Sequence, residues 1–230
     1  MKTLCLSISL LIITNYVLCQ TPQKIIIDNN KASVSEINPE LQQIFPDFRN
    51  GSIHYKNKRP IECKLNYNFF LDEMLFLNEK GDKMAIANPQ DLSYVLIDNR
   101  MFISTPEGYF EVIEDGNISL VYKWISRISK AGKEGALGIS TDAPSVYQMN
   151  RMSFDSKEWK MGVNEEAVVS VEVRPFLWTK SKLILIKGPK SYYKAFHNKS
   201  SEIKKYLDQN PADFRKEEDL RRITRYCNSL

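Results

Sequence analysis

Few residues in this chain have the types and spacing that chemistry needs. Two acidic pairs stand out, Asp72-Glu73 and Glu165-Glu166. Glycoside hydrolysis uses two carboxylates flanking one bond. Adjacent residues on a strand point to opposite faces, so neither pair is by itself such a dyad. His54 and His197 are single histidines in their segments, and no serine or cysteine sits in a GxSxG context. Two histidines with Cys63 and Cys227 offer no CxxC, HxxH or HExxH spacing, so no metal site is predicted. The glycine-rich stretch Gly132-Lys133-Glu134-Gly135-Ala136-Leu137-Gly138 lacks phosphate-loop and dinucleotide spacing, so no cofactor is implied. The remaining candidates are Tyr147, Phe154 and Trp159. Clustered in a loop, they would stack on a sugar or hold a peptide. The alternative is local packing.

The elements that position these residues begin at the N-terminus. Lys2 precedes an apolar run from Leu4 to Ile13, and a polar stretch opens at Gln20. That is the layout of a secretory signal peptide over residues 1–19. The run is half of what a membrane-spanning helix requires. Cleavage after Cys19 releases a soluble exported chain. Lipidation of Cys19 is the rival route, and Leu18 is bulky for it. In an oxidising compartment Cys63 and Cys227 are the remaining cysteines. They either close one long-loop disulfide or act as small buried hydrophobes.

Over residues 187–230, eleven Lys and Arg face six Asp and Glu, a net +5 against +4 for the whole chain. Both signs alternate along helical stretches, the pattern of a solvated helix face. Together with export, this argues against nucleic acid as a partner. Three Asn-x-Ser triplets, at Asn50, Asn117 and Asn198, fit the glycosylation acceptor pattern and matter only in a host that glycosylates.

Residues 20–48 read as an arm with a short helix, capped by Asn38, started by Pro39 and burying Leu41, Ile44 and Phe45. From 49 to 128 the pattern is short strands and turns. Ile61, Cys63, Leu65 and Tyr67 alternate with Glu62, Lys64, Asn66 and Asn68. Asp98-Asn99 fits a two-residue hairpin loop. Strands at about ten-residue spacing predict an antiparallel meander. Residues 129–166 read as a long loop. Two strands follow, near 167–173 and 181–186, then helices near 191–196, 201–209 and 216–228, with Leu220, Ile223, Thr224 and Cys227 at helical spacing. The predicted fold class is α+β: mainly antiparallel β, a sheet or partly open barrel, with short C-terminal helices packed on it as one unit.

Three stretches together resemble a group of exported Bacteroidota proteins of unknown function. The first is Gly51-Ser52-Ile53-His54-Tyr55-Lys56 with Leu65-Asn66-Tyr67-Asn68 and Asp72-Glu73-Met74-Leu75-Phe76. The second is Ala87-Asn88-Pro89 with Ile97-Asp98-Asn99-Arg100-Met101-Phe102 and Tyr109-Phe110-Glu111-Val112. The third runs from Glu202-Ile203-Lys204-Lys205-Tyr206-Leu207 through Asp213-Phe214 and Glu218-Asp219-Leu220 to Tyr226-Cys227-Asn228. The resemblance implies a periplasmic or surface-exposed envelope protein and assigns no catalytic residue. The expected function is a non-enzymatic binding or assembly accessory whose partner is another envelope protein or surface component. A carbohydrate- or peptide-binding module using the loop aromatics is the alternative, followed by a hydrolase.

Overall fold

A computed structural model describes residues 23–27, 31–33, 37–130, 146–147, 158–160 and 165–230. Residues 1–19, read as a signal peptide, and Phe154 lie outside the described residues. The fold is an open antiparallel sheet with three short helices at the C-terminal end. Its strands are β1 (Gln23–Ile27), β2 (Lys31–Ser33), β3 (Arg49–Tyr55), β4 (Ile61–Asn68), β5 (Glu73–Leu77), β6 (Lys83–Ala85) and β7 (Leu92–Ile97). They continue with β8 (Arg100–Thr105), β9 (Gly108–Glu114), β10 (Ser119–Lys130), β11 (Val146–Tyr147), β12 (Glu158–Lys160), β13 (Glu165–Trp178) and β14 (Leu183–Leu185). The helices are α1 (Pro189–Ala195), α2 (Ser200–Gln209) and α3 (Glu217–Ser229).

The main sheet runs β1-β13-β10-β9-β8-β7-β3-β4-β5-β6, with β11 beside β10 and β14 beside β13. β2 and β12 pair separately. The order shows two meanders, β3–β6 and β7–β10, joined through β3 and β7 rather than through the consecutive β6 and β7. Alternation and turn chemistry make the hairpins. Asp98 adopts φ 50° in the two-residue loop between β7 and β8, and Gly81 adopts φ 84° between β5 and β6.

Two expected elements differ in extent. The arm carries β1 and β2, and where a helix is expected after Asn38 it makes a 3-10 turn at Pro39–Leu41. Its backbone turns to the sheet instead: the Ile44 amide donates to the Tyr67 carbonyl and Gln43 bridges to Asn68. Asn66, fully buried, locks this segment. It accepts from the Phe45 amide and donates to Gln43 Oε1 and to the Phe45 carbonyl. The second difference is at the ends of β10 and β13, which pair as far as Lys130 and Ala167 and run to Lys130 and from Glu165, into the stretch read as a loop.

One face of the sheet carries two cores side by side. The first gathers Ile53, Leu65, Tyr67, Val95, Ile97, Phe102 and Tyr109, covered by the arm through Ile44 and Phe45. The second gathers Ile113, Leu120 and Leu177 under the helices, which contribute Tyr192, Ile203, Leu220 and Ile223. α3 buries Leu220, Ile223, Thr224 and Cys227, and each large apolar side chain contributes about 1.5–3 kcal/mol. A helix this short is marginal alone in water and depends on that sheet face. Its end is pinned by Asn228, which accepts from the Ile118 amide and donates to the Ile118 carbonyl. On the opposite sheet face Ile103, Phe110 and Val121 form a smaller cluster with Phe176 and Trp178.

Candidate functional site

The densest polar constellation forms where the β4–β5 turn meets β9 and β10. Asp72 ends that turn with φ 57°, a left-handed conformation. Its Oδ1 accepts three hydrogen bonds: from the Tyr67 hydroxyl at 2.8 Å, the Tyr109 amide at 3.1 Å and Lys123 Nζ at 2.7 Å. Lys123 also donates to the Tyr109 carbonyl at 3.1 Å and lies over the Phe110 ring. Burial, and then the Asp72 charge, push the Tyr67 phenol well up; Tyr109 is raised by burial, Asp72, Tyr55 and Glu73. Both phenols therefore stay protonated across the ordinary pH range, and the Tyr67 hydroxyl is a fixed donor to Asp72, which suits an anchor and not a proton shuttle.

A second constellation fills the seam between the two cores. On β9, Tyr109, Glu111 and Ile113 share one face, so Glu111 lies between the clusters. Arg100 grips its carboxylate with two 2.6 Å bonds, and Trp124 Nε1 donates to Oε2 at 2.8 Å. The guanidinium is stacked among Phe45, Phe102 and Trp124. A bidentate pair inside an aromatic box is a rigid strut.

On the other face, Ser52 and His54 share a 2.8 Å hydrogen bond between Oγ and Nε2. The imidazole stacks on Tyr94 with centroids 4.1 Å apart. A serine and a histidine in contact are two parts of a nucleophilic dyad. Ser52 is 7% exposed, and among the described residues no carboxylate hydrogen-bonds the His54 ring. The pair is a polar contact within β3, and the His54–Tyr94 stack is what crosses to β7. Further along the sheet, Glu172 is held by Arg174, 2.8 Å from Nε, and by Arg127. Hydrogen bonding from Arg174 outweighs desolvation and draws the Glu172 carboxyl below its ordinary range.

Of the residues singled out from sequence, Tyr147 lies on β11 opposite Ile128, in the main sheet. Trp159 lies on β12 opposite Ala32, in the two-stranded sheet. The backbone pairing thus assigns them to different sheets. Glu165 and Glu166 start β13 opposite Ile27 and Ile26 of β1. Glu73 starts β5 opposite Asn68. His197 opens a 3-10 turn between α1 and α2.

Cys63 and Cys227 are free thiols, so the long-loop disulfide is not formed. Cys63 packs beside the first core on β4, and Cys227 is buried in the second on α3. Burial raises both thiols, Cys227 to about 12. The alternative role, a small buried hydrophobe, describes Cys227; Cys63 is half-buried.

No family model, curated protein or solved structure matches this chain. The reading of the site therefore rests on its own geometry. Sequence reasoning singled out Asp72 as an acid and missed its role as a tie. It missed the Arg100–Glu111–Trp124 strut altogether. The available signal was a charged residue alternating onto a core face, with Glu111 between Tyr109 and Ile113 at period two.

Proposed function

We propose that this protein is an exported, non-enzymatic binding or assembly-accessory protein of a bacterial envelope. One observation supports it most. Four described carboxylates of the sheet are engaged in ties: Asp72 to Lys123, Glu111 to Arg100, Glu114 to Arg221 and Arg225, Glu172 to Arg127 and Arg174. Most of these ties join the β4–β5 turn, neighbouring strands and α3, and they stiffen a broad open sheet, a scaffold for presenting a surface. The leader-like first nineteen residues supply export. In-cell crosslinking of the tagged protein, followed by pull-down, tests the reading. One dominant envelope partner is expected; recovery of the protein alone, reproducibly, overturns it.

A further inference from the structure

From Val173 to Ser201 the chain carries seven Lys and Arg and no Asp or Glu. The mixing of signs in the C-terminal helices begins only at Glu202. The fold gathers this run at one corner of the sheet: the end of β13, its hairpin partner β14, and α1, which packs on both strands. Lys180 and Lys182 stand on the hairpin turn, Lys187 follows β14, and Lys190 and Lys194 lie one turn apart on α1. All five are exposed, and among the described residues none of them enters an ion pair. At the same end of the sheet Asp115, in the β9–β10 turn, accepts from the Gly116 amide and the Ser119 hydroxyl, both at 2.9 Å. It is a single negative charge against the two lysines of the hairpin turn.

Beside the lysines lies an apolar strip. Phe176 and Trp178 turn to the sheet face opposite the two cores, in the cluster that also includes Leu183. Leu183 pairs with Trp178 and Leu185 with Phe176, so the four side chains share that face. Each is half-buried, for the helices pack on the other face. The turn between the strands is firm. The Thr179 amide donates to the Lys182 carbonyl at 3.0 Å, and the Lys182 amide to Thr179 Oγ1 at 3.2 Å. Lys180 holds φ 66° there, a left-handed conformation that glycine adopts at less cost.

We propose that the β13–β14 hairpin and the start of α1 dock on a bilayer that contains anionic phospholipid. Trp178, Phe176, Leu183 and Leu185 meet the boundary between headgroups and acyl chains, where tryptophan rings are favoured. The lysine stems lie along that apolar strip, and their ammonium groups reach the phosphate oxygens. The combination selects the occupant. Cations alone would suit any polyanion, and an apolar strip alone would suit many partners. An aromatic and aliphatic strip rimmed by lysines matches an interface that is apolar within and anionic outside. A second copy of this chain would bring like charges together. The inference goes beyond the binding reading above and needs no protein partner.

The test uses the chain from Gln20, without the apolar run Leu4–Ile13 that would enter a bilayer by itself. Co-sedimentation is measured with vesicles of phosphatidylcholine alone, and of phosphatidylcholine and phosphatidylglycerol in equal parts. Binding to the anionic vesicles is expected, and none to the neutral ones. It should fall as salt rises from about 0.01 M to about 1 M and the screening length shortens. Lys180→Gln combined with Lys182→Gln should weaken it about twentyfold, at about fivefold per lysine. Both side chains are exposed, so the fold keeps its contacts. Phosphatidylcholine brominated on its acyl chains, mixed into the anionic vesicles, should quench tryptophan emission, and Trp178→Phe should remove that quenching. Where Trp178→Phe disturbs folding, the lysine variant and the salt dependence decide. Equal binding to both vesicles, no binding, or wild-type affinity of the lysine variant overturns the inference. So does quenching that survives Trp178→Phe, which marks another surface. Loss of vesicle binding to inorganic phosphate at constant ionic strength overturns it too, because that marks a site for the free anion.

Discussion

Asp72 and Lys123 are fifty-one residues apart in sequence, and their charged groups lie 2.7 Å apart in the fold. The contact ties the β4–β5 turn to β9 and β10, strands on the far side of β3, β7 and β8. It curls the sheet around the first core, where Tyr67 meets Tyr109 and Phe102 at centroid distances of 5.7 and 5.6 Å.

Asp72→Asn should destabilise the protein by about 2–4 kcal/mol, because Lys123 keeps its charge in a largely buried site. Gly108→Ala should act through the same joint. Its φ is +106°, and a Cβ there would come 1.8 Å from Asp72 Oδ2. A cost of about 2–3 kcal/mol is expected. Urea unfolding checks both. Near-wild-type midpoints would remove Asp72 from its structural role.

Glu111→Gln should cost about 3 kcal/mol by leaving the Arg100 guanidinium without its counter-charge. Trp124 loses a charge-assisted acceptor in the same step, so its emission should shift before global unfolding. Trp124→Phe keeps the ion pair and should cost less. If the two substitutions are equally damaging, packing rather than the ion pair holds the seam.

Acid should loosen α3 from β9. Hydrogen bonding from Arg225 draws the Glu114 carboxyl below its ordinary range; burial opposes it, and the charges of Arg225 and Arg221 add to the lowering. A depressed folded-state pKa contributes stability above the unfolded carboxyl's range. That stability is lost as pH falls through the folded value. Arg225→Gln should therefore flatten the fall in melting temperature between about pH 5 and pH 3. Parallel acid slopes for the two proteins would count against this account.

The two described cysteines should differ in reactivity. Cys63 is half-buried on β4, and Cys227 is 2% exposed with its thiol pushed up to about 12. Thiolate is the reacting form. Alkylation at pH 8, mapped by mass spectrometry, should modify Cys63 slowly in the native protein and Cys227 only with denaturant. A peptide in which the two are joined as cystine would contradict the free-thiol structure.

Much of this fold is local and was legible in the residues. The alternation at Ile61–Asn68 matches β4 residue for residue, and the Asp98-Asn99 loop closes its hairpin. The spacing of Leu220, Ile223 and Cys227 places the buried face of α3. Hairpins and amphipathic helices encode their geometry in neighbouring residues, by turn conformation and by periods of 2 and 3.6. The joining of β3 to β7, the convergence of Tyr67, Asp72, Tyr109 and Lys123, and the burial of Glu111 have no such local code. Each depends on which distant surfaces exclude water together. That choice is made by packing the arm, the curled sheet and the helices at once, so only the tertiary structure decides it.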